Sequence, residues 1–139
     1  MEPIVWTDEL SVGIVLFDEQ HKRLVRMLNR MIADPSATTR SETISDILTE
    51  LTRYAQEHFK CEEDWMIQHN YPRLEEHREK HMDFRKTVAE LCVATSSGLD
   101  SVPKILLEYL KNWLTQHILH EDMMFKPFNE TLQSKQTTG

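Results

Sequence analysis

The sequence predicts an all-α fold: an up-down-up-down four-helix bundle, with an ordered N-terminal arm before it and a short C-terminal helical segment after it. Three observations point there. The 139 residues include only 3 Gly and 5 Pro, while the good helix formers Leu, Met, Glu and Lys are abundant. Apolar residues recur every three to four positions in four long runs instead of alternating. Short breaks separate those runs, as antiparallel neighbours require. The length is that of one domain with a real core.

Residues 1–17 carry Pro3, Gly13 and short apolar bursts without a sustained helical period. They read as an ordered arm that packs Trp6, Ile14, Leu16 and Phe17 onto the body. Asp18 is a suitable N-cap for a first helix reaching about Ala33, with Leu24, Val25, Leu28, Met31 and Ile32 as its apolar stripe. "DPSATTRS" is a loop. A second helix runs from about Ser41, its candidate cap, to His69. Its stripe is Ile44, Leu48, Leu51, Tyr54, Ala55 and Met66, and "HNYP" ends it because Pro72 disfavours helix at Tyr71.

A third helix spans about Arg73 to Thr95, with Leu74, Phe84, Val88 and Leu91 inward. After "SSGLDS", Asp100 or Ser101 caps a fourth, with Val102 and Pro103 in its first turn and Leu106, Leu110, Trp113 and Leu114 as its stripe. The helical bundle is assigned to 18–132. The polar end "QSKQTTG", 133–139, reads as a frayed tail.

Composition narrows the partners. A formal charge of -7 argues against nucleic acid or an anionic membrane. Cys61 and Cys92 form neither a zinc-type pair nor a disulfide scaffold and read as free buried thiols in a reducing compartment. The N-terminus lacks the basic region of a signal peptide, and no apolar run approaches the roughly 20 residues that span a bilayer. The expectation is a soluble cytoplasmic protein, monomeric by default because no spare apolar face shows. The sequence names no protein partner.

Chemistry is concentrated in seven histidines: His21, His58, His69, His77, His81, His117 and His120. His21 begins the first apolar stripe. His58 continues the second, with Glu62 one turn further on. His77 and His81 sit between Leu74 and Phe84, and His117 follows Trp113 and Leu114. Antiparallel packing brings the start of helices one and three and the end of two and four to one end of the bundle. The five histidines therefore share a layer. Five core imidazoles without partners are costly to bury. A metal gives each nitrogen lone pair a partner.

Imidazole with carboxylate and no thiolate pair suits iron, zinc or manganese. The Glu-x-x-His motif of ferritin-like bundles is absent, as is His-Glu-x-x-His. The "HREKH" pair alone is a weak signal, since such pairs also occur by chance on solvated faces, and Glu62 alone is also compatible with an ordinary exposed acid in "CEED". Near His117, helical spacing offers His120 or Glu121 as companions, three and four residues on.

Together "DEQH" (His21), "HFKCEE" (His58, Glu62), "HREKH" (His77, His81) and "WLTQHILHED" (His117, Asp122) resemble the bacterial hemerythrins, as do the "VGIVLFDEQH" arm and "NYP". The resemblance covers roughly residues 4–130 and all seven ligand positions in order. It implies a non-haem di-iron centre, oxo- or hydroxo-bridged, that reversibly binds O2. His77, His81 and His117 would hold one iron and His21 and His58 the other, with Glu62 and Asp122 bridging. On two octahedral irons this set leaves a single position open, on the iron with two histidines.

Phe59, Trp113, Leu114 and Ile118 flank the histidines and are expected to line a dry O2 pocket, with plain core packing the simpler reading of the same residues. His69 is expected to be exposed and His120 to lie on the surface. Cys61 points about 60° or more away from His58 and Glu62 by the helical period and is not expected to be a ligand. Asp122, five residues after His117, reaches the same layer only if the fourth helix is irregular between them, as in one wide i→i+5 turn, with His120 and Glu121 facing outward. The expected function is that of an O2 carrier, store or scavenger and not an enzyme. The alternatives are an O2 or redox sensor acting through a partner, or a di-iron enzyme handling peroxide or nitric oxide.

Overall fold

The computed structural model describes residues 2–138, with side chains through residue 134. Four long helical segments form the bundle: α1 Val15–Ile32, α2 Glu42–Gln68, α3 Leu74–Ser96 and α4, which starts at Val102 and is α-helical to Asn112. α1 packs on α2 and α4, and α3 packs on the same two, which is the ring expected of up-down-up-down connections. Among the described residues there is no strand, and no helix is long and apolar enough to cross a membrane.

The first helix starts three residues earlier than the expected cap. Ile14 precedes it, and Asp18 lies inside the first turn. The Asp18 carboxylate instead reaches back, accepting from the Val12 amide at 2.8 Å and from Ser11 Oγ. It ties the arm to the helix, at a helix end that favours negative charge. Phe17 is therefore a buried α1 residue, and Leu16, expected to pack inward, is 54% exposed. The arm's own contribution to the core is Val12, with Trp6 and Ile14 half-buried. Ser41 does precede α2, but its hydroxyl accepts from the Thr38 amide and not from the helix.

α2 and α3 end alike. Asn70 and Gly98 occupy the left-handed region, at φ 53° and 76°. Beyond each, Tyr71 donates to the Met66 carbonyl and Leu99 to that of Ala94. These are Schellman closures, the function of glycine or asparagine just past a helix. The stripes expected on α1 to α4 are largely inside: Ile32 and Leu74 are only half-buried, but Leu28, Leu51, Phe84, Leu106 and Leu110 are at most 3% exposed. Each such side chain contributes about 1.5–3 kcal/mol on burial.

The fourth helix changes character at Trp113. From there to Glu121 it is π-helical. A short 3-10 turn, Asp122–Met124, leads into α5, Phe125–Thr138. Pro127 sits in the first turn of α5, where its missing N–H costs nothing. The chain thus stays helical past residue 132, where a frayed tail was expected; Gly139 and the side chains from 135 on lie outside the described residues. Phe125 joins Val12, Phe17, Met66 and Tyr71 in a second small core, which closes the end of the bundle that holds the histidines.

Candidate metal centre

Each half of the constellation is set by helix spacing. On α2, His58 and Glu62 are one turn apart, with His58 Nε2 3.3 Å from Glu62 Oε1. On α3, His77 and His81 are likewise one turn apart. α1 supplies His21 and the π-helical stretch supplies His117. The wide turn does what regular spacing cannot. The Asp122 amide donates to the His117 carbonyl, five residues back, and Asp122 Oδ1 lies 3.1 Å from His117 Nε2. The irregularity expected between His117 and Asp122 is present and longer, beginning at Trp113.

All seven expected side chains converge, each at most 3% exposed. Asp122 also approaches His77 Nε2 at 3.0 Å and His21 Nε2 at 3.1 Å. Glu62 approaches His81 Nε2 at 3.1 Å. The potential ligand atoms fall into three mutually close groups: His21, His58, Glu62 and Asp122; Glu62, His81 and His117; His77, His117 and Asp122. All five imidazoles present Nε2 to the carboxylates.

The layer is electrostatically incomplete by itself. Burial pushes the Glu62 carboxyl well above its ordinary range, and the neighbouring Asp122 adds to the effect. Burial opposes ionisation of Asp122 too, but His117, His21 and His77 outweigh it and hold that carboxyl well below. Burial also pushes His58 well below the usual imidazole value and His117 down. A downward shift favours the neutral imidazole, the form that ligates metal. Both Glu62 oxygens, His81 Nε2, His117 Nε2 and Asp122 Oδ2 are buried without a hydrogen-bond partner. Orphaned acceptors facing one another are what a bound cation would satisfy, and nitrogen with oxygen donors suits iron, zinc or manganese.

An aromatic shell surrounds the layer. Phe59 stacks on His81 at 3.9 Å and 4°, and Trp113 on His117 at 3.9 Å and 14°. Tyr54 lies on His58 and Phe125 on His77, each at 5.0 Å. Leu114 and Ile118 belong to the main core. Of the four residues expected beside the O2 site, Phe59 and Trp113 therefore cover the three-histidine side. The face of His58 is covered by Tyr54, which the sequence had marked only as a stripe residue.

Two other expectations are corrected. Glu121 does not face outward: it is 6% exposed, with Lys80 Nζ at 2.5 Å and Arg73 at 3.6 Å. The π-helical stretch turns it toward these cations on the α3 side. His69 is half-buried and not exposed, with Nδ1 donating to the Trp65 carbonyl at 2.9 Å. His120 is exposed, and Cys61, half-buried, is in none of the three ligand groups.

Comparison with known proteins accords with this geometry. The family described as Hemerythrin HHE cation binding domain matches residues 12–128, most of the chain. The chain belongs to the hemerythrin family. A bacteriohemerythrin of Stenotrophomonas maltophilia (strain R551-3) is 32% identical over 125 residues, 90% of this chain and 80% of that protein. One from Pseudomonas aeruginosa (strain LESB58) is 34% identical over 122 residues, 88% and 78% of the two chains. A crystal structure of a hemerythrin point mutant superimposes with TM-score 0.80 at 26% identity, covering 91% of this chain and 97% of that one. The hemerythrin assignment brings with it a cation-binding, four-helix architecture.

Two polar residues beside the ligands escaped the sequence reading. Gln20 precedes His21, and its Oε1 lies 2.5 Å from His58 Nδ1. Glu63 follows Glu62, with Oε2 3.0 Å from His81 Nδ1. Each is a sequence neighbour of a ligand but touches a ligand on another helix, so no periodicity marks it.

Proposed function

We propose that this hemerythrin reversibly binds O2 at a pair of iron ions, as a carrier, store or scavenger. His77, His81 and His117 hold one iron, His21 and His58 the other, and Glu62 and Asp122 are shared. The observation that carries the reading is the overlap of the three ligand groups: the two around His81 and His77 share His117, and Glu62 and Asp122 join them, respectively, to the His21–His58 group, which supports two positions with the two carboxylates in common. When bound, the iron pair supplies the redox electrons and the open coordination position that O2 needs.

The chain supplies the rest. Five Nε2 atoms are aimed inward, and four aromatic faces exclude water from the layer. A dry surround slows proton entry and irreversible oxidation. Tyr54, fully buried, is held protonated by that burial.

The test is optical. The full chain, loaded with iron and reduced without air, is exposed to O2 and then deoxygenated. A visible charge-transfer band that appears and then vanishes, with two irons per chain, supports the proposal. Irreversible conversion to an oxidised form overturns it in favour of a redox sensor or a peroxide- or nitric-oxide-handling enzyme. His58→Ala should impair O2 binding and lower iron content toward one per chain. Unchanged values would remove His58 from the site.

A further inference from the structure

The outward faces of the ligand imidazoles are unequal. Nδ1 of His21, His77 and His117 has no partner among the described residues. His58 and His81 do have partners, of different kinds. His58 Nδ1–H donates to the Gln20 side-chain carbonyl, a neutral acceptor on a residue that is 9% exposed. The Gln20 amide nitrogen donates in turn to Cys61 Sγ at 3.5 Å, which fixes the end of the amide that faces His58. His81 Nδ1–H donates to the Glu63 carboxylate. The guanidinium groups of Arg78 and Arg85 lie 3.5 and 3.8 Å from that carboxylate.

A carboxylate on Nδ1–H draws the proton toward itself and makes Nε2 a stronger donor, an effect a neutral amide produces only weakly. The two acceptors back different ligand groups: Gln20 bonds a histidine of the His21–His58 group and Glu63 bonds His81, which belongs to another. We propose that Glu63 and Gln20 act as positioning residues that make the two cation positions unequal, the Glu63-backed position holding its ion tightly and the Gln20-backed position holding its ion loosely. The difference adds to that of three histidines against two. It leaves the ion beside His58 as the exchangeable one. The inference rests on the two-iron reading above but not on O2 chemistry.

The test is iron release. The full chain is loaded with Fe2+ without air and mixed with a ferrous chelator that colours on binding. The native chain should release one iron quickly and one slowly. Gln20→Glu, nearly isosteric, should slow the fast phase about tenfold or more, and Glu63→Gln should speed the slow phase by a similar factor, each leaving the other phase in place. A single phase for both irons, variants that move neither phase, or variants that speed both together as general loosening would, each overturn the proposal. Reversible O2 binding with unshifted phases sinks this inference alone. Shifted phases without reversible O2 binding sink the O2 reading and leave this one standing.

Discussion

At the loop end of the bundle, Met31, Ile44, Ile47, Leu91, Val102 and Leu106 meet in a layer that is at most 6% exposed. At the opposite end, the same bundle places five imidazoles and two carboxylates at equal depth. The apolar layer gains free energy from water exclusion with no positional demand beyond shape. The polar layer forfeits hydration and recovers it only when its acceptors find a cation. Stability and function are thus assigned to different ends of one set of helices, and substitutions should separate them.

The largest separation is expected at Glu62. Glu62→Leu removes a carboxylate common to two ligand groups, so paired iron should be lost entirely by metal analysis. The metal-free protein should be as stable as the native metal-free chain, or more stable by about 1–4 kcal/mol, because an unpartnered buried carboxyl has been replaced by an apolar group. A large fall in its Tm would show that the polar layer also supports the fold. Leu51→Ala is the converse. Leu51 is fully buried in the main core, and its truncation should cost about 2–5 kcal/mol in denaturant unfolding, with two irons per chain retained.

The smallest effect concerns Glu121, between the two regimes. Burial raises its pKa, but the Lys80 ammonium and Arg73 outweigh that and pull it below the ordinary value. A lowered carboxyl contributes stability that is present above its unfolded pKa and lost as pH falls through the folded one. Lys80→Met in the metal-free chain should therefore cost up to about 1 kcal/mol at pH 7, Lys80 being 44% exposed. The difference from the native chain should shrink toward zero on acidification below the usual Glu range. A gap constant with pH would mean that the Lys80 stem, and not its charge, does the stabilising.

The apolar end was readable from sequence because it obeys one period. Leu24, Leu28, Leu51, Leu106 and Leu110 fall where 3.6 residues per turn put them. His21, His58, His77 and His81 were readable for the same reason, each lying on a stripe, whereas Glu62 by itself reads as an ordinary acid and became a ligand through family resemblance. Asp122 was reached only through family resemblance, since regular spacing pairs His117 with His120 or Glu121. The inward position of Glu121 was misjudged on that account: the wide turn was expected to swing Asp122 alone, whereas nine residues are rewound. Leu16 was placed inward because apolar character was weighed without knowing where the first helix begins. Gln20 and Glu63 left no trace, because their contacts cross between helices and a single chain's periodicity reports only its own helix.

The rewound segment also sets the bearing of everything after it. Each wide turn consumes more residues than an α-helical one, so side chains beyond Glu121 point to compass directions that a regular helix of equal length would not give them. Phe125 arrives against Phe17, Trp65 and Tyr71, at 5.7, 5.2 and 5.0 Å. Trp113 to Glu121 thus acts as a phase shifter between the ligand layer and the lid above it. One residue inserted or removed there would throw ligand and lid out of step together, whereas the same change at the exposed Pro35–Ser36 tip of the α1–α2 loop would be absorbed.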